Sequence, residues 1–122
     1  MKNLNEIVYG ILSGDEAIAG YVGENILDAY PNEVENFPCI IFLDANQSDT
    51  EFADNKPLAD TAEVEIHIFT KALDGFPTAT EIGEAVYGAM NENYFVLTGG
   101  RGLSDPDDEV RHRIMNFRNI IF

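Results

Sequence analysis

The stretch that decides the fold is Ala62-Glu63-Val64-Glu65-Ile66-His67-Ile68-Phe69. Val64, Ile66 and Ile68 alternate with Glu63, Glu65 and His67, and a period of two sends the two sets to opposite faces of a β-strand. One buried face and one wet face imply a sheet covered on one side. The cover must come from apolar stripes at helical spacing, and the chain carries them on both sides of this strand.

Upstream, Leu4, Ile7, Val8, Ile11 and Leu12 recur at the spacing of one helix face. They predict a helix over about 3–13, capped by Asn3 with Glu6 three residues on and stopped at Gly14. A short second helix is expected over 15–22, burying Ala17, Ile18, Tyr21 and Val22 before Gly23. Residues 24–38 read as irregular chain around Tyr30-Pro31 and Phe37-Pro38, with a brief extended piece at Ile26-Leu27. Cys39 to Ala45 opens with an unbroken apolar run and reads as a buried strand, with Pro38 just before the ladder begins. Asn46 to Asp60 is polar and acidic and reads as a long loop, a length that is generally functional or mobile.

Downstream, Thr78 with Glu81 forms a capping box for a helix over about 78–91, whose stripe is Ile82, Ala85, Val86, Ala89 and Met90. Gly83 and Gly88 weaken that helix unless close packing needs them. A strand near 94–98 is expected to turn at Gly99-Gly100, and a long last strand covers 110–122. In it Met115, Phe117 and Ile121 share one face, with Arg111 and Arg113 in the same row, while Ile114, Asn116, Arg118 and Ile120 take the other. The expected class is α+β: a mainly antiparallel sheet with helices packed on one face, in the order ααβ-loop-β-α-ββ.

At 122 residues, 45% of them hydrophobic, the chain is expected to form a single domain with its own core. One cysteine, Cys39, excludes an internal disulfide and suits a reducing compartment. The start has no signal-like pattern and no stretch has the length of a membrane span, so a cytosolic protein with no membrane partner is expected. The net charge is −15, which argues against binding a phosphate backbone. That charge resides wholly in residues 1–98. Residues 99–122 hold Arg101, Arg111, Arg113 and Arg118 against an equal number of acids.

No enzyme signature emerges. Glu63, Glu65 and His67 share a strand face, but such triads are usually solvated surface. His112 has no partner histidine at ligand spacing. Residues 105–116 fail the calcium-loop pattern, with Val110 in place of the glycine and Asn116 in place of the closing glutamate. Thr98-Gly99-Gly100-Arg101-Gly102 lacks the Lys-Ser/Thr ending of a phosphate loop and reads as a hairpin connection needing positive φ. Cys39 has no electropositive neighbour in sequence and reads as inert core. No cofactor or metal is expected.

The succession as a whole resembles a known family. Ile7-Val8-Tyr9-Gly10-Ile11-Leu12 is followed by Ser13-Gly14-Asp15-Glu16-Ala17-Ile18 and Val22-Gly23. Then come Phe37-Pro38-Cys39-Ile40-Ile41-Phe42, Val64-Glu65-Ile66-His67-Ile68-Phe69 and a closing Arg113-Ile114-Met115-Asn116-Phe117-Arg118. This order is similar to the siphophage tail completion proteins, also called tail terminators or tail-to-head joining proteins. Two departures stand out: Cys39 where the family often has a bulky aromatic, and the size of the acidic excess.

The resemblance implies a non-enzymatic structural protein that caps the head-proximal end of the tail tube. It implies a ring, usually of six copies, with the tail tube protein and the head–tail connector as partners and DNA passing through without specific binding. Assembly would take place in the host cytoplasm, and the protein would end in the neck of the virion tail. Within such a ring, Arg118 and Arg113 are expected to meet acids of a neighbouring copy or of the tube. Asp49, Glu51 and Asp54 are candidates for that contact, for the lumen or for the ring faces. Competing readings are a head-closure subunit of the same neck, or an acidic DNA mimic that inhibits a host nucleic-acid enzyme.

Overall fold

A computed structural model describes residues 4–28, 36–53, 56–104 and 109–121, with side chains described at 4–28, 36–43, 62–102 and 109–119. The elements run α1 (Leu4–Ser13), α2 (Glu16–Val22), β1 (Ile26–Leu27), β2 (Cys39–Ala53), β3 (Lys56–Lys71), α3 (Ala79–Glu92), β4 (Val96–Ser104) and β5 (Val110–Ile121). The five strands form one sheet in the order β1-β2-β3-β5-β4. The short β1 pairs parallel with β2, and every other pairing is antiparallel. The α+β class and the helical cover are as the periodicities predict.

The helices begin and end for local reasons. Asp15 caps α2 by accepting the Ile18 N–H at 3.0 Å, and Thr78 caps α3 by accepting the Glu81 N–H at 3.0 Å. Gly23 closes α2 at φ 62, a left-handed conformation that a side chain would resist. The capping role expected of Asn3 lies outside the described residues. Upstream of α3, the buried Thr70 hydroxyl donates to the Pro77 carbonyl at 2.8 Å, tying the helix approach to β3.

The main core lies between the helices and one sheet face. Leu4, Val8, Leu12, Ile18, Ile82, Val86 and Met90 come from the helices, and Ile40, Phe42, Val64, Ile66, Ile68, Met115 and Phe117 from the strands. Side chains of this size contribute about 1.5–3 kcal/mol each when fully buried, which makes this layer the main source of stability. Ala17, expected inside, is exposed, because the short α2 turns only Ile18 and Val22 fully inward.

The sequence expectation needs correcting in three places. The loop expected at 46–60 is a β-hairpin: β2 and β3 stay paired from Cys39↔Phe69 out to Ala53↔Lys56. Backbone hydrogen bonding sustains such a ribbon without apolar alternation in its sequence. Next, Gly99-Gly100 is not a turn. Both glycines lie inside β4 beside a register shift between Leu97 and Gly99, and neither has positive φ. A Cβ on Gly100 would sit 2.6 Å from the Ile114 carbonyl oxygen, so the residue serves close backbone approach. Finally, the second sheet face is not uniformly wet. Cys39, Ile41 and Phe69 form a smaller core there, packed by Phe37, Leu43 and Val110.

Candidate interaction surface

The arginines of β5 diverge as strand parity requires. Arg113 lies on the helix-covered face, where a Cβ on Gly83 would come within 3.3 Å of its Nε and 3.6 Å of Met115 Sδ. With Arg111, it lines a surface cavity of about 470 Å³ that also takes in Thr70, Thr78 and Thr80. Arg118 is exposed on the opposite face, paired in register with Glu63 on β3 and Val96 on β4.

Asp49 and Glu51 lie on the far part of β2, in register with Asp60 and Ala59. Among the described residues, β5 accompanies β3 as far as Asp60↔Ile121. Beyond that point β2 and β3 continue as a two-stranded arm. Asp54 lies outside the described residues. Of the four expected contact residues that are described, Arg113 and Arg118 take opposite faces of β5, Asp49 lies at the base of the arm and Glu51 within it.

The second sheet face holds a pair that sequence reasoning missed. His67 Nδ1 is 2.7 Å from His112 Nε2, and His67 Nε2 is 2.5 Å from Glu65 Oε1. His112 has no partner histidine at ligand spacing in the sequence, and the fold supplies one from 45 residues away. β3–β5 pairing sets Phe69 opposite His112, and the diagonal neighbour on the same face is His67. The Phe69 ring stacks on His112 at 4.1 Å between centroids. Burial holds the His112 imidazole below its ordinary pKa, the His67 and Arg101 charges push the same way, and Glu65 pulls it back. Strand parity puts both histidines on this face, but only the register brings them together.

Among the described residues, the two most exposed large hydrophobic side chains lie at the β4 margin. Tyr94 is 82% exposed and Val96 62%, and both line a shallow cavity of about 350 Å³ with Thr98, Arg118 and Asn119. Tyr94 also has φ 69, the one positive φ outside glycine among the described residues. Its N–H meets the Asn91 carbonyl, and the Phe95 N–H returns to Met90, which closes the end of α3. Cys39, by contrast, is buried, and its thiol is pushed up to about 11. Among the described residues no three His, Cys, Asp or Glu side chains form a group that could hold a metal ion. No described helix is long and apolar enough to cross a membrane.

Comparison with known proteins adds a family and a fold. Residues 6–121 match the family described as Tail completion protein gp17. Among solved structures, the chain is similar to one from the "Virion of native gene transfer agent (GTA) particle". The identity is 21% and the TM-score 0.64, over 97% of this chain and 93% of that one. No curated protein matches the sequence.

Proposed function

The chain belongs to the Tail completion protein gp17 family, and from that premise we propose that this phage tail structural protein caps the head-proximal end of the tail tube and joins it to the head connector. It acts as a single domain repeated in a ring, with six copies as the expected number. Its role is geometric: it ends tube polymerisation and offers a docking surface, without a reaction or a cofactor.

The observation that carries this reading is the family match over nearly the whole chain. The physical character of the chain agrees with it. Heterologous contacts close into rings when the rotation between copies permits. An acidic subunit with its four arginines gathered on β4 and β5 has complementary surfaces to offer a neighbour. In the ring, Arg118 and Arg113 face the acids of an adjacent copy or of the tube, with Asp49, Glu51 and Asp54 as their counterparts. A charge of −15 per copy keeps the passing DNA from sticking, since no counterion release favours binding.

The test is electron microscopy of particles made with this gene disrupted. Over-long tubes without heads support the terminator role. Tails of normal length beside heads that leak DNA would instead assign the chain to head closure. Separately, a salt-sensitive gel shift of duplex DNA by the purified protein would contradict the acidic conduit.

A further inference from the structure

We propose that the free edge of β4, with Tyr94 and Arg118 at one end, receives the β2–β3 arm of a second copy of this chain. The inference rests on the ring reading above and names the contact that would close the ring.

β4 is the last strand of the sheet and pairs only with β5 among the described residues. A nine-residue edge strand presents outward N–H and C=O groups that invite another strand. Gly99, Gly100 and Gly102 keep its side chains small, so a second backbone can approach closely. At its start, Tyr94 combines two unfavourable features, a left-handed backbone and an 82% exposed ring. Glycine would remove both. A strained and exposed aromatic beside a 350 Å³ cavity is what a contact anchor requires.

The arm has the converse need. Past Asp60↔Ile121 it is a two-stranded ribbon among the described residues, and a lone hairpin is marginal in water. It cannot satisfy β4 within its own subunit, because β5 lies between β3 and β4. The arm of another copy meets no such obstacle, and the same arm-to-edge contact repeated head to tail makes a heterologous ring. Glu51 and Lys56 lie on the arm and Asp49 at its base, while Arg101 lies on β4 and Arg118 on β5 at the receiving side.

The experiment is native mass spectrometry with sedimentation of the full chain over a concentration series, alongside thermal unfolding of each variant. The wild-type protein is expected to form closed rings. Tyr94→Gly and Arg118→Glu should each raise the concentration needed for rings by about tenfold or more. Tyr94→Gly should hold or raise the unfolding midpoint, whereas a purely structural tyrosine would lower it. Glu51→Arg combined with Arg118→Glu should recover assembly. Wild-type rings that both single variants still form equally well would overturn this contact and leave the ring reading standing. Variants that weaken rings without rescue by Glu51→Arg would overturn the arm as occupant. A chain monomeric at every concentration would overturn the ring and this contact together.

Discussion

His67 and His112 share a hydrogen bond of 2.7 Å across two adjacent strands, and Glu65 holds the far nitrogen of His67. Protonation of His112 must therefore proceed beside His67 and Arg101 and in partial burial, with only Glu65 opposing them. The folded chain resists the proton more than the unfolded chain does, because its His112 pKa lies below the ordinary 6.5. The resulting stability is complete above about pH 6.5 and is lost as pH falls below it. We expect the unfolding midpoint to decline as pH is lowered from 7.5 to 5.5, and His112→Gln to flatten that decline. Equal slopes in the two proteins would refute the assignment.

Cys39 should be chemically silent in the folded protein. It is 1% exposed, and burial pushes its thiol up to about 11, so little thiolate exists near neutral pH. Alkylation by iodoacetamide at pH 8 is expected to be negligible until denaturant is added, and then complete. Rapid labelling of the native chain would show that this part of the second sheet face opens readily.

The elements the sequence reveals best are those whose side chains carry their own period. Val64, Ile66 and Ile68 disclose β3, and Ile82, Val86 and Met90 disclose α3, because each set must reach one core. The arm escapes such reading. Its strands pair through backbone groups, and a polar stretch such as 46–60 has no alternation to betray them. Gly99 and Gly100 mislead for a related reason: glycine marks either a turn or a close approach, and only the neighbouring strand decides which. The His67–His112 pair depends on the β3–β5 register, which no local pattern in either strand fixes.

Gly100 offers a direct check on that register. A Cβ there would lie 2.6 Å from the Ile114 carbonyl oxygen, which is backbone and cannot swing aside. Gly102, two residues along the same strand, has nothing within 4 Å of its Cβ position. Gly100→Ala should destabilise the chain by about 1–3 kcal/mol, the usual cost of overpacking, while Gly102→Ala should be neutral or slightly stabilising. Urea unfolding of the two variants measures the difference, and equal stabilities would mean that β4 and β5 pair in another register.

The two glycines of α3 should respond to alanine in different ways, and the difference reports on Arg113. Gly88 has nothing within 4 Å of its Cβ position, so Gly88→Ala should realise the full helix-propensity gain of about 1 kcal/mol. Gly83 has the same intrinsic preference, but its Cβ position lies 3.3 Å from Arg113 Nε and 3.4 Å from Arg113 Cδ. The arginine must move to admit the methyl, and that movement subtracts from the gain. Met115 Sδ, at 3.6 Å, is already at ordinary contact distance and imposes no such demand. Gly83→Ala alone is therefore expected to stabilise less than Gly88→Ala. In an Arg113→Ala background the obstruction is gone, and Gly83→Ala should recover most of the propensity gain. A double-mutant cycle in denaturant reads the coupling as the gap between these two measurements. If Gly83→Ala has the same effect with and without the arginine, Arg113 does not pack on α3, and the core-side row assigned to β5 at this position is wrong.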